Sequence, residues 1–138
     1  MAHHRTGLTR LAAGTICLLL GACGLGGPAH EPPSPAAAAT VDMGFASFEP
    51  ATVKIRVGDS IQWRNTAVIT HTVTDDPNAA ADPADAVLPA GGVAFDSGDI
   101  PAGEVYLHQF MMPGTYRYFC RHHEGDGMVA TIVVEPAS

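Results

Sequence analysis

From Thr40 onward the sequence is a series of short runs in which apolar and polar side chains alternate, separated by turn residues. A period of two puts successive side chains on opposite faces of an extended strand, so the pattern points to half-buried β-structure and away from a helical bundle. Thr52-Val53-Lys54-Ile55-Arg56-Val57 alternates, Gly58-Asp59 turns, and Ser60-Ile61-Gln62-Trp63-Arg64 alternates again, which reads as a hairpin. Further strands are expected around Thr40 to Met43, His71 to Thr74, Glu104 to Phe110, Thr115 to Cys120 and Val129 to Glu135. Pro101-Ala102-Gly103 and Pro113-Gly114 punctuate them. Seven or eight short strands in the 99 residues of Thr40 to Ser138 predict one all-β domain, a two-sheet Greek-key sandwich with Ile61, Trp63, Tyr118 and Ile132 in its core.

The stretch Asp75 to Gly92 (DDPNAAADPADAVLPAGG) breaks this rhythm and is long for a loop. It is expected to contain a short helical turn. Either it is a solvated insertion, or it presents acid to a partner or walls a site near His71.

Residues 1–22 read as a signal peptide. Met1 to Arg10 carries two arginines and no acid, and Leu11 to Leu20 is an apolar run too short to span a bilayer. Leu20-Gly21-Ala22-Cys23 resembles the lipobox of bacterial lipoproteins, which implies lipidation of Cys23. Arg5 and Arg10 are not adjacent, so there is no twin-arginine signal and export through the general route is expected. Residues 23–39 then form a tether, rich in Pro and Ala and without the large apolar side chains a core needs. Extended like polyproline, it would hold the domain up to roughly 50 Å from the lipid.

Removing the signal and lipidating Cys23 leaves Cys120 as the sole thiol of the folded domain. Exported domains use cysteines in pairs, so a lone one is inert core, a liability or a metal ligand. All 14 acidic residues lie beyond residue 30, against five basic residues beyond Cys23, a formal charge of −9. That balance argues against nucleic acid and anionic surfaces; it serves solubility or steers the protein toward a basic partner.

The segment Gly114-Thr-Tyr-Arg-Tyr-Phe-Cys120-Arg-His-His123-Glu-Gly-Asp-Gly-Met128 leads from one strand through a loop of Cys, His and Met into another. Here the chain resembles the small cupredoxins, especially their plastocyanin and pseudoazurin branch, whose ligand loop is Cys-x2-His-x4-Met. The likeness extends over residues 40 to 138, through Phe48-Glu49-Pro50, Val57-Gly58-Asp59, Trp63-Arg64-Asn65, His71-Thr72-Val73-Thr74 and Pro113-Gly114-Thr115-Tyr116. It implies one type 1 copper ion held by His71, Cys120, His123 and Met128. The family spacing selects His123 over its neighbour His122. Asn65 and Thr72 are expected to tie the upstream loop to the Cys120 loop by hydrogen bonds. His108 reads as a structural or surface histidine, and Met43, Met111 and Met112 as core.

Two imidazoles and a thiolate in a plane, with a weak axial thioether, suit both Cu(I) and Cu(II). Four protein donors leave no open position for a substrate, unlike a catalytic metal site. The expected function is therefore one-electron transfer between redox protein partners at the outer face of the cell membrane or in the periplasm. The alternative is copper storage or delivery with the same ligands. A copper oxidase would need His-x-His pairs and a His-Cys-His run, whereas Cys120 is flanked by Phe119 and Arg121. Zinc has no need of a thioether.

Overall fold

The computed structural model describes residues 36–138; the signal segment, Cys23 and most of the tether lie outside the described residues. Among the described residues seven strands form: β1 (Ala39–Met43), β2 (Phe48–Glu49), β3 (Thr52–Arg56), β4 (Ser60–Asn65), β5 (Val105–Gln109), β6 (Gly114–Phe119) and β7 (Val129–Glu135). They make two mixed sheets, one in the order β2-β1-β4-β5 and the other β3-β7-β6. β1 runs parallel to β4 with Val41 opposite Trp63, and β3 runs parallel to β7 with Val53 opposite Ile132. No helix among the described residues is long and apolar enough to cross a membrane.

The expected hairpin does not form, although both of its strands do. β3 pairs with β7, and β4 pairs with β1 and β5, in the other sheet. The Gly58-Asp59 turn therefore carries the chain across the sandwich. Gly58 takes φ +95°, and the Asp59 carboxylate accepts the Arg56 N–H at 2.8 Å. Alternation reports only that each strand buries one face. Two strands that face the same core across it satisfy that pattern as well as two side by side.

Ile61, Trp63, Tyr118 and Ile132 are fully buried, as expected. Trp63 sits at the centre, its ring 5.6 Å from Tyr118, 5.7 Å from Tyr106 and 6.0 Å from Phe95. Each such side chain contributes about 1.5 to 3 kcal/mol by leaving water. Met43 is core, but Met111 is 64% exposed and Met112 36%. Both lie in the turn between β5 and β6, which has no sheet face to bury them against.

His71 to Thr74 is not a regular strand. It makes isolated bridges, His71 to Ile100 and Thr74 to both Asp96 and Phe119. The insertion holds its expected turn, a single 3₁₀ turn at Pro83–Asp85 capped by the Asp82 side chain. Val87 exchanges backbone hydrogen bonds of 3.0 Å with Arg117 of β6, and Arg117 also pairs with Asp85 at 3.1 Å.

Candidate metal centre

β6 ends at Phe119 and β7 begins at Val129, so the antiparallel pair presents the intervening loop at one end of the sandwich. Backbone bonds close this loop on itself. The Cys120 N–H reaches the Met128 carbonyl and the Met128 N–H reaches the His123 carbonyl, each at 3.1 Å. A 3₁₀ turn at Glu124–Asp126 carries the chain from His123 to Gly127, whose φ of +81° favours glycine. Cys120 and Met128 are fully buried, while His123 keeps some exposure.

The upstream histidine arrives by a different route. Asn65, at the end of β4 and 1% exposed, donates to the Ile69 carbonyl at 2.7 Å and the Ile100 carbonyl at 2.9 Å. Its carboxamide oxygen accepts the Ala67 N–H at 3.0 Å. The loop to His71 is thus folded around one side chain. Ile100 and His71 then exchange backbone bonds of 2.8 and 3.1 Å, which fixes where the imidazole stands.

The result brings His71, Cys120 and His123 together, with one donor atom from each lying within 4.8 Å of the others. Cys120 Sγ is 3.7 Å from His71 Nδ1 and 3.5 Å from His123 Nδ1. Burial lowers the His71 pKa, the neighbouring His123 lowers it further, and the Gly44 backbone opposes them. A neutral imidazole is the form that ligates a metal. Two imidazole nitrogens converging on a buried thiol are the donor set that copper takes up in either oxidation state.

Thr72 lies between the upstream segment and the Cys120 loop. Its N–H points at Cys120 Sγ at 3.3 Å, its hydroxyl lies 3.8 Å from the same sulfur, and that hydroxyl oxygen accepts the Arg121 N–H at 2.8 Å. Asn65 does not reach the Cys120 loop; its partners lie in the loop before His71 and at Ile100. A carboxamide that follows a strand and precedes a loop is recruited by the nearest backbone groups. His122 turns away to Asp99, 2.9 Å from its carboxylate, which leaves His123 at the site. His108 is half-buried, stacks on Phe95 at 4.6 Å and has its pKa lowered by burial. Neither belongs to the His71, Cys120 and His123 group.

Sequence reasoning missed the segment around Phe95 to Ile100, which supplies Ser97 to the Val73 N–H at 2.8 Å as well as the Ile100 bridge. The turn-like Asp96-Ser97-Gly98-Asp99 was its only sequence signal. Arg121, beside Cys120, pairs with Asp96 at 2.8 Å.

A two-sheet sandwich holding two histidines and a buried cysteine at one end defines a cupredoxin. Residues 35–135 match the family model described as copper binding proteins, plastocyanin/azurin family. The chloroplastic plastocyanin of Tetradesmus obliquus is 38% identical over 94 residues, covering 68% of this chain and 62% of that protein. The plastocyanin of Scenedesmus fuscus is 34% identical over 94 residues, covering 68% of this chain and 92% of that one. Among solved structures, an oxidized mutant of amicyanin superposes with a TM-score of 0.56 at 26% identity, covering 71% of this chain and 82% of that one. The chain belongs to the plastocyanin/azurin family of copper proteins, and its cofactor is a single type 1 copper ion.

Proposed function

We propose that this protein is a one-electron carrier working outside the cytoplasmic membrane, with copper held by His71, Cys120, His123 and Met128. The observation that carries the reading is the convergence of His71, Cys120 and His123 donor atoms within 4.8 Å, with Met128 fully buried in the same loop and bonded through its backbone to Cys120 and His123. These residues would hold a copper ion that supplies the Cu(I)/Cu(II) couple. The residues do the rest. His71 and Cys120 are fully buried and braced by Ile100 and Thr72, so the donors keep their places in both oxidation states. Four protein donors leave no position for a substrate, which favours a carrier over an enzyme.

His123 is the donor with an edge toward solvent, and the 73% exposed Phe45 lies 6.4 Å from its ring. A redox protein partner that docks on this end meets a ring whose Nδ1 lies 3.5 Å from the Cys120 sulfur. The charge of −9 beyond Cys23 supports a partner with a basic surface. For residues 1–22 as signal, Cys23 as lipid attachment and 23–39 as tether ahead of a domain at 40–138, the support is the apolar run and lipobox. Cys23→Ser should release the protein from membranes; unchanged membrane retention would overturn the anchor.

Copper titration followed by visible absorbance and voltammetry tests the function. An intense blue band, a reversible one-electron wave and loss of the band in Cys120→Ser are expected. A colourless protein that surrenders Cu(I) readily to an acceptor would point instead to copper storage or delivery.

A further inference from the structure

Glu124 follows His123 directly and opens the 3₁₀ turn that leads on to Met128. Its carboxylate leaves the ligand loop altogether. One oxygen accepts the N–H groups of Ala81 and Asp82, each at 2.9 Å, and the other also accepts from Ala81 at 2.9 Å. These donors belong to the 75–92 insertion, some forty residues earlier in the chain. They are pre-set by the adjoining turn, where Pro83 starts the 3₁₀ helix and Asp82 caps it through the Ala84 N–H at 2.9 Å.

The insertion has a second anchor on the other side of the same loop. Val87 is bridged to Arg117 and Asp85 is paired with it, and Arg117 lies in β6 three residues before Cys120. The insertion therefore spans from the strand that delivers Cys120 to the residue after His123. Hydrogen bonds from backbone N–H groups to a carboxylate are among the stronger kind, about twice the neutral case. Without this contact the loop's ties to the rest of the fold would all lie before His123, from Cys120 and Arg121 to Thr72, from Arg121 to Asp96 and from His122 to Asp99.

We propose that Glu124 is a positioning residue: by gripping the Ala81 and Asp82 N–H groups it straps the insertion across the ligand loop and holds His123 in the same place with or without the metal. The insertion is then part of the electron-transfer centre. The proposal rests on the reading of His123 as a copper ligand. Its consequence is that the loop's stiffness, and with it the rate at which electrons exchange, depends on a contact outside the ligand set.

The test uses the full chain, metal-free and copper-loaded, in four forms: wild type, Glu124→Gln, Ala81→Pro and the double variant. Glu124→Gln keeps the volume but replaces one acceptor oxygen with a donor, and Ala81→Pro removes the doubly shared N–H from the opposite side. In metal-free protein, amide hydrogen exchange should quicken about tenfold both at Asp82 and over residues 124–128, the scale of one lost charge-assisted contact. Copper-loaded, each single variant should slow electron self-exchange several-fold and shift the visible band or the potential, with the double variant no worse than either single one. Faster exchange confined to the insertion, with band, potential and self-exchange as in wild type, would overturn the proposal. A wild-type protein without a blue band would instead overturn the copper reading itself, so the two failures are distinguishable.

Discussion

The two segments that supply the donors are built on opposite plans. The loop from Cys120 to Met128 closes through bonds between its own residues, at Cys120 to Met128 and at His123 to Cys120, and hangs between two regular antiparallel strands. The segment from Asn65 to Asp75 has almost no regular structure. Beyond the Asn65 bonds to Ala67 and Ile69, its ties run to Ile100, Ser97, Phe95, Phe119 and Cys120, all at least 20 residues away. One half of the site is thus a local motif, and the other half exists only when the sandwich is assembled. The local half needs strands to hold it, while the distant half needs buried polar groups to be satisfied one by one.

That contrast predicts where damage is greatest. Asn65→Ala deletes two donors and one acceptor at a position 1% exposed, leaving the Ile69 carbonyl and the Ala67 N–H without their partner and the Ile100 carbonyl with the His71 N–H alone. A loss of about 3 kcal/mol in unfolding free energy is expected, with faster copper loss because His71 is no longer placed. Denaturant unfolding and copper release to a chelator would measure both. A loss below about 1 kcal/mol would show that the upstream half is not held by this side chain.

Asp75 sharpens the same contrast through pH. Its side chain is fully buried, with one oxygen accepting the Phe95 N–H at 2.7 Å and the other lacking a partner. Burial pushes its pKa up to about 7, outweighing the pull of that N–H in the other direction. Below the unfolded value, near 4, both states are protonated and nothing changes. Between that value and 7 the folded state keeps a proton that the unfolded chain has lost, so each rise in pH disfavours the fold. Raising the pH from 5 to 7 should cost roughly 2 kcal/mol through this group, and Asp75→Asn should flatten the profile. Equal slopes for the two proteins would exclude the carboxyl as the cause.

How much of this was legible follows from the same division. The Cys120, His123 and Met128 spacing is local, so one look at the chain names it, and the strands on either side alternate plainly. The two-sheet class and the core positions of Trp63 and Tyr118 come from that alternation as well. Which strands pair is not local: β3 and β4 look like a hairpin because nothing in their residues says that β7 and β1 compete for their edges. His71-Thr72-Val73-Thr74 looks like a strand for the same reason, since its partners at 95–100 carry no period of their own. Glu124 shows the limit most clearly, an unremarked acid in a turn until Ala81 and Asp82 are folded against it.

Between the two halves lies Thr72, which touches both. Thr72→Val keeps the volume and the backbone N–H to Cys120 Sγ but removes the hydroxyl that accepts from Arg121, so about 1 kcal/mol and a small shift of the blue band are expected. Arg121→Ala should do less. Its guanidinium pairs with Asp96 at 2.8 Å, yet the two side chains are 36% and 38% exposed, and water replaces each partner when the other is lost. Exposed pairs of this kind contribute between about 0 and 1 kcal/mol, and the backbone N–H of residue 121 would still reach Thr72. If Arg121→Ala instead destabilised the protein as much as Thr72→Val, or displaced the band further, the ligand loop would be held from its surface, and its turn bonds could not be what fixes Cys120. Parallel melts and spectra of the two variants decide between those accounts.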